Sequence, residues 1–269
     1  MNPINFTWDL LPQIFLWFLI YSFLGWAWEC ILVFFEEHRF VNRGFLNGPY
    51  CPIYGLGAIL FIFTTNTLAN PILRFALGAT LACALEYVTS FLLELLFHAR
   101  WWDYSQYRYN LHGRICLIGF ALFGFFAVVI PYVQYYFQAF IESLPASLTN
   151  SLASILSIVF IADIAITVRS LAHFNHILRV YQQAIDKHRL QFLEFIHRGR
   201  HTFTMYLGKN RTIRHVLTLQ QRRILAAFPQ LTSLHYKGAL ERLRKLSKEP
   251  NSATKQKQKD ANNTRKPKK

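Results

Sequence analysis

The stretch Asn42-Arg43-Gly44-Phe45-Leu46-Asn47-Gly48-Pro49-Tyr50-Cys51-Pro52 separates two apolar runs, near Leu10–Phe35 and Pro49–Thr65. Three further apolar runs lie near Pro71–Phe97, Ile115–Phe140 and Leu152–Val168. An α-helix needs about 20 mostly apolar residues to cross the hydrocarbon core of a bilayer. The sequence therefore predicts an all-α fold, a polytopic integral membrane helical bundle of about five transmembrane helices, of which the second and fifth are short.

Charge divides the chain into three predicted domains. Residues 1–168 contain 6 Lys+Arg and 9 Asp+Glu, a net charge of −3, whereas residues 169–269 carry +18. Such asymmetry indicates an embedded part and a basic part that meets something anionic. We expect a transmembrane bundle over 1–168, basic amphipathic cytoplasmic helices over 169–248 and a disordered Lys-rich tail over 249–269.

The distribution of Lys and Arg predicts the orientation, because cytoplasmic loops are enriched in these residues. Arginines occur in the 1–2 connection, at Arg39 and Arg43, and in the 3–4 connection, whereas the 4–5 connection has none. The pattern predicts an N-terminus outside the cell and a C-terminus in the cytoplasm. The protein is accordingly expected to be a multi-pass protein of the inner (plasma) membrane, with both polar segments, 42–52 and 101–114, at its cytoplasmic face.

Three glutamates lie inside predicted spans: Glu29, Glu86 and Glu94. A carboxylate near hydrocarbon is costly and usually marks a site. These three carboxylates could serve as ion or substrate ligands, as proton carriers or as general acids and bases. Alternatively, they could join helices through hydrogen bonds and salt bridges. For Asp163, near the end of the last span, a structural role is favoured.

The first polar segment combines Arg43, Gly44 and Gly48 with a helix start at Pro49, so it could hold an anion. The alternative is a tight turn between helices with a positive-inside arginine. In the second segment, Trp101, Trp102 and Tyr104 fit an aromatic belt at the membrane surface. That belt does not explain Asp103, which could pair with an arginine, nor the polar residues Asn110 and Arg114.

No cofactor or metal site is predicted. The four cysteines form no ligand spacing, and the histidines form no zinc signature. The absence of a phosphate-binding GxxxxGK[ST] loop means that any use of ATP requires a separate ATPase subunit. No GxSxG nucleophile motif occurs, so a non-enzymatic role is favoured although catalysis stays open.

The basic C-terminal third contains an amphipathic stripe, Leu171, Phe174, Leu178, Tyr181 and Ile185. A basic amphipathic helix directly after a span is expected to lie on the anionic lipids of the inner leaflet. Nucleic-acid binding is not favoured, because the tail has no aromatic residues among its charges.

Several ordered motifs over residues 15–170 resemble the bacterial ABC-transporter type IV membrane proteins, the CmpB-like family of permease-type proteins. The likeness is carried by Tyr21–Trp26 with Glu29, by 42–49 running into Cys51–Gly55, by Leu85–Tyr87 with Glu94, and by Trp102–Ser105 with Asn110 and Gly113–Cys116. The resemblance implies a bacterial inner-membrane protein whose matched polar residues form one site.

Three functions follow as hypotheses: a permease-type transport component, a membrane-embedded enzyme acting on a lipid headgroup or other anionic substrate, and a membrane scaffold. The first is favoured. The candidate polar site comprises Glu29, Asn42, Arg43, Asn47, Glu86, Glu94, Asp103, Asn110 and Arg114.

Overall fold

The structure is a computed structural model that describes residues 10–65, 68–197 and 219–248. The Lys-rich tail over 249–269, predicted to be disordered, lies outside the described residues.

The described chain is built almost entirely from helices. They are α1 (Leu11–Glu37), α2 (Pro52–Thr65), α3 (Pro71–Phe97), α4 (Leu117–Glu142), α5 (Ala146–His197), α6 (Leu219–Ala227) and α7 (Lys237–Lys248). Four two-residue strands accompany them: β1 (Ala99–Arg100), β2 (Asn110–Leu111), β3 (Ile115–Cys116) and β4 (Thr232–Ser233). Strand β1 pairs antiparallel with β4, and β2 pairs antiparallel with β3.

Four helices of the described chain are long and apolar enough to cross a membrane: α1, α3, α4 and the part Ala146–Gln183 of α5. The second predicted span corresponds to the shorter apolar helix α2, which has 14 residues. Large apolar side chains cover the outside of these helices, as Ile72 shows at 78% exposure. The predicted all-α polytopic membrane bundle is confirmed.

Small residues allow the membrane helices to approach closely. A Cβ added to Gly78 of α3 would lie 2.0 Å from the Cβ of Ala127 on α4. A Cβ added to Gly25 of α1 would lie 2.2 Å from the ring of Tyr54 on α2. Close packing of this kind is common between membrane helices, where small residues bring backbones into contact. It fixes the α3–α4 and α1–α2 pairs that carry the candidate site.

The described chain falls into two compact units. The first contains the described residues up to Asn175 together with Leu219–His235. The second contains the described residues from His176 to 197 and from 236 to 248, and in it the backbone N–H of Ala239 donates to Gln182 Oε1 at 3.0 Å. Every candidate site residue belongs to the first unit.

Candidate functional site

The candidate residues lie at one end of the first unit, in the two connections 38–51 and 98–116, which we call the loop layer, and in the adjoining turns of α1, α3 and α5. Leu219–His235, which we call the C-terminal strap, contacts this layer. The carboxylates of this region organise most of its side-chain contacts.

Asp163 of α5 fixes the first connection. Its carboxylate accepts hydrogen bonds from the backbone N–H of Asn47 at 3.0 Å and of Gly48 at 2.8 Å, from the Asn47 side-chain amide at 2.8 Å and from the Tyr50 hydroxyl at 2.6 Å. The Thr167 hydroxyl, one turn along α5, adds a fifth at 3.2 Å. The anion that the Gly-rich segment binds in this structure is therefore the side chain of Asp163.

Asn42 shapes the start of the same connection. Its side-chain oxygen accepts from the Trp26 indole N–H at 2.8 Å and from the backbone N–H of Gly44 at 3.0 Å. The amide thus anchors the loop to α1. Both contacts are local and engage the only acceptor oxygen of the Asn42 side chain, so we regard Asn42 as a residue that positions the loop.

Glu29 of α1 joins two elements. Its Oε1 accepts from the Tyr54 hydroxyl of α2 at 2.5 Å, and its Oε2 lies 3.6 Å from Arg43 Nε in the loop layer. One carboxylate thus carries a phenol and a guanidinium partner. The charge of Glu29 is therefore compensated locally, as expected for a half-buried ion pair at a helix end.

Glu86 of α3 differs from Glu29 in its partners. Its side chain is 6% exposed, Oε1 accepts from the Tyr104 hydroxyl at 3.1 Å, and Oε2 is buried without a hydrogen-bond partner among the described residues. A Cβ built on Gly119, in the first turn of α4, would lie 3.9 Å from this oxygen. Glu86 is thus level with the start of α4, nearer the loop layer than the mid-span position that its place in the apolar run suggests.

Tyr104 links the two carboxylates electrostatically. Burial raises the pKa of its phenol well above the usual value, and the nearby negative charges of Glu86 and Glu29 raise that pKa further. The phenol therefore stays protonated and donates a hydrogen bond to Glu86. Glu29, Tyr54, Glu86 and Tyr104 form one group, which we call the carboxylate–phenol cluster.

Glu94, two turns further along α3, has arginine partners instead. Its Oε2 lies 2.9 Å from Arg114 Nη2 and 3.5 Å from Arg100 Nε. Arg114 is buried, donates to Ser90 Oγ at 3.3 Å and stacks over Tyr87 and Phe91. Glu94 and Glu86, eight residues apart on one helix, thus belong to different sets of partners.

Asp103 and Asn110 shape the second connection. Asp103 accepts from the backbone N–H and the hydroxyl of Ser105, and it lies 3.8 Å from Arg100 Nη1. The Ser105 hydrogen bonds chiefly lower the pKa of this carboxyl, which is a loop residue. Asn110 accepts from the backbone N–H of Gly113 at 2.9 Å and closes the turn between β2 and β3. Both side chains serve the conformation of the loop.

The C-terminal strap contacts both connections. Arg223 donates to the backbone oxygens of Gly44 at 2.6 Å and Phe45 at 3.1 Å, and Arg43 donates back to the carbonyl of Ala227. Strand β4 pairs with β1, and the backbone N–H of Leu234 donates to the carbonyl of His98 at 2.9 Å. Burial lowers the pKa of Arg223, although the nearby Asp163 opposes this effect. The strap is thus part of the loop layer's own structure.

Aromatic rings complete the contact between the strap and the loop layer. The Trp101 ring packs edge-on against Phe228 with centroids 5.0 Å apart and against Phe45 at 4.9 Å. The Arg43 guanidinium lies 5.6 Å from the Phe228 ring centroid. Edge-to-face aromatic pairs and cation–π contacts of this kind add to the apolar contact area. Trp101, almost fully buried, therefore belongs to the core of the loop layer.

The structure distributes the nine candidate residues over several neighbouring sets. Glu29 and Arg43 form one, Glu94 and Arg114 another, and Asn47 joins Asp163. Reading the sequence missed Tyr54 and Tyr104 as partners of carboxylates, as well as Arg223. The two tyrosines could have been found from the sequence, because a buried carboxylate needs a hydrogen-bond donor and few other donors lie near it in the sequence.

Four long apolar helices with ionisable side chains at one end define a polytopic α-helical membrane protein. The chain belongs to the family described as Putative ABC-transporter type IV, whose model matches residues 16–168. This match confirms the resemblance carried by the sequence motifs. The family and the apolar helices fit a transport component of a membrane. The strap begins about 50 residues beyond the matched segment.

No curated protein and no solved structure matches this chain.

Proposed function

We propose that the protein is a permease-type transport component of the inner (plasma) membrane, with its polar site near the cytoplasmic face. The observation that supports this most directly is the carboxylate–phenol cluster. Glu86 holds a buried carboxylate oxygen without a described partner, on a helix long and apolar enough to cross a membrane. Ionisable residues in such positions commonly mark the path of an ion or substrate. Glu29 and Glu86 would line that path.

The remaining candidate residues would position the cluster. Arg43 compensates Glu29, while Asn42 and Asn47 hold the connection that carries Arg43. Glu94, Arg114, Asp103 and Asn110 shape the connection that carries Tyr104. Substitutions in this second group would act on transport through the placement of the Tyr104 hydroxyl.

The proposed orientation places the loop layer in the cytoplasm and the N-terminus outside. It rests on the arginines of the two connections and on the basic residues that follow α5. The chain contains no phosphate-binding loop, so coupling to ATP would require a separate ATPase subunit, for which the cytoplasmic loop layer is the natural docking face. The basic C-terminal region would add attraction to anionic lipids.

The geometry favours transport over catalysis at a lipid headgroup. That alternative needs arginines free to bind phosphate, whereas Arg100 and Arg114 are engaged with Glu94 and Arg43 with Glu29. A scaffold role leaves the buried Glu86 without a purpose. Neither alternative has an observation of its own among the described residues.

The test is solute profiling in a host strain that lacks the gene. The strain would carry wild-type protein, Glu86→Gln, or Glu142→Gln as a matched control on an exposed residue whose carboxylate accepts a hydrogen bond from Gln138. We expect a difference in cellular ion or metabolite content that wild type and Glu142→Gln restore and Glu86→Gln does not. Identical profiles in the deleted and complemented strains would contradict a transport role.

Purification from native membranes tests the partner. Mass spectrometry of the complex retained in mild detergent should show a stoichiometric ATPase subunit if the protein is an ABC-type permease. A retained phospholipid without any ATPase would instead favour lipid chemistry.

A further inference from the structure

Glu86 has an unmet bonding capacity that the helix packing has not removed. Its side chain is 6% exposed, only Oε1 is bonded, and Oε2 is buried without a hydrogen-bond partner in the described chain. Buried polar atoms are nearly always satisfied, so each exception calls for an explanation. For a carboxylate the cost is larger still, because an ionised group loses its hydration on burial.

Gly119, in the first turn of α4, lies beside the unbonded oxygen. A Cβ built on Gly119 would have as its nearest neighbours Cys116 Sγ and Phe123 Cε2 at 3.7 Å and Glu86 Oε2 at 3.9 Å. These are ordinary contact distances, so the position has room for a group about as large as a methyl. The adjacent start of α4 does not neutralise Glu86, because the backbone N–H of Gly119 is directed to Cys116 Sγ.

The surrounding charges leave one negative charge to be balanced. Among the described residues, the titratable groups that interact with Glu86 are Glu29 on α1, Cys83 on α3 and Tyr104 in the loop layer, and Cys116 before α4 lies near the last two. Arg43 pairs with Glu29, and Arg114 and Arg100 pair with Glu94. None of these ion pairs compensates Glu86, so no described residue supplies the positive charge that would balance its ionised carboxylate.

We infer that Glu86 binds a proton on the carboxylate oxygen Oε2, beside Gly119. A metal ion does not fit this chemistry, because hard cations take several oxygen ligands, six to eight for Ca²⁺. In the described chain no group of three or more His, Cys, Asp or Glu could hold a metal ion. A proton needs one carboxylate oxygen, and Oε2 is buried without a hydrogen-bond partner among the described residues. The inference deepens the proposed function, on which its role as a coupling site rests.

The test uses the full-length protein in lipid nanodiscs and infrared difference spectroscopy of carboxyl groups. The protein is titrated with pH in choline buffer, and then with NaCl and KCl at fixed pH. We expect a protonated-carboxyl C=O band that changes with pH, that is missing in Glu86→Gln and that is kept in Glu142→Gln. A band that responds to pH alone supports proton binding, whereas a band that sodium or potassium suppresses at fixed pH would overturn it.

Gly119→Ala is the sharper variant, because the added methyl meets only ordinary contacts. Alanine also favours a helix relative to glycine. We therefore expect a protein at least as stable as wild type. Because the added methyl disfavours the ionised carboxylate, the titration midpoint should move to higher pH, by about tenfold in proton activity. This variant decides the matter even if Glu86→Gln fails to fold.

Two further results would overturn the inference: no Glu86-dependent band over the whole range of pH and salt, or a Gly119→Ala protein that titrates like wild type. These failures are separable from failure of the proposed function. A titrating band without any solute phenotype leaves the proton site standing and removes transport. If Glu86→Gln fails to restore the solute content and no carboxyl band titrates, the transport function stands and the proton site is removed.

Discussion

Asp163 and Glu86 are buried to almost the same extent, at 8% and 6% exposure, yet their surroundings differ. Asp163 accepts five hydrogen bonds from the first connection and α5, whereas Glu86 accepts one. Burial alone therefore does not distinguish a carboxylate that stabilises the fold from one that keeps an unbonded oxygen. The number of donors around it does.

The difference follows from what each carboxylate faces. Asp163 faces a Gly-containing turn whose backbone N–H groups have no helix to satisfy them, so the carboxylate completes the backbone. Glu86, on α3, faces the first turn of α4, where the backbone N–H of Gly119 is directed to Cys116 Sγ. The first arrangement stabilises the loop layer, and the second leaves one carboxylate oxygen without a hydrogen-bond partner among the described residues.

The largest expected effect is a difference in unfolding free energy between two variants, Asp163→Asn and Glu86→Gln, which both replace a carboxylate with an amide. Asp163→Asn replaces one acceptor oxygen with an NH₂ group, which then faces N–H donors, and we expect a loss of about 3 kcal/mol in the free energy of unfolding. Glu86→Gln keeps the oxygen that Tyr104 needs and removes a buried charge, so its unfolding free energy should change by less than about 1 kcal/mol. Unfolding in mixed SDS micelles, followed by tryptophan fluorescence, measures both.

Equal losses in the two variants would break the comparison, because Glu86 would then be as structural as Asp163. Glu142→Gln provides the baseline for removing a carboxylate at an exposed position.

A smaller effect is expected in the C-terminal strap. Arg223→Ala removes the hydrogen bonds to the carbonyls of Gly44 and Phe45, at a cost of about 2 kcal/mol to the local closure of the strap. The Leu234 amide, bonded to His98, should then exchange hydrogen about 30-fold faster. Arg242→Ala, the same change at an exposed arginine of α7, should leave this exchange rate unchanged.

The same variant sharpens the comparison. If the loop layer is structural and the carboxylate–phenol cluster is a separate binding site, the carboxyl band of Glu86 should persist in Arg223→Ala. Loss of that band would show that the strap and the cluster act as one unit.

The smallest effect concerns Asp103. Ser105 hydrogen bonds lower its pKa in the folded state, so this carboxyl stabilises the fold above its unfolded pKa of about 3.9. The contribution is lost as the pH falls through the lower, folded pKa. Because Asp103 is partly exposed, the contribution should stay below about 1 kcal/mol. The difference in unfolding free energy between wild type and Asp103→Asn, measured at successive pH values, should shrink on acidification.

Hydropathy was sufficient for the membrane helices, because lipid imposes length and apolarity on each span. The predicted run Pro71–Phe97 coincides with α3. The second helix begins at Pro52, whereas the predicted run began at Pro49, because contacts with Asp163 hold residues 47–50 in a turn. Helix α5 continues far beyond Val168 to His197, since hydropathy detects the part in lipid and not its amphipathic continuation.

Pairings between distant residues were harder to predict. The sequence left salt bridges open as one role of Glu29 and Glu94, and the structure pairs them with Arg43 and Arg114. Arg223 bonding to two backbone oxygens left no trace in the sequence, since a carbonyl is present at every position. Whether both oxygens of Glu86 find a hydrogen-bond partner also depends on how α3 packs against α4 at Gly119. This packing detail could not be predicted from one sequence.

The pairing of β1 with β4 joins Ala99 to Ser233, residues far apart in the order of synthesis. The family-matched segment is complete at residue 168, and the strap begins about 50 residues later, which is roughly 3–10 s at ordinary elongation rates. During that interval the carbonyls of Gly44 and Phe45 lack Arg223 as a hydrogen-bond donor. Every newly made copy therefore passes through a stage in which the first connection is held by Asp163 and not yet by the strap.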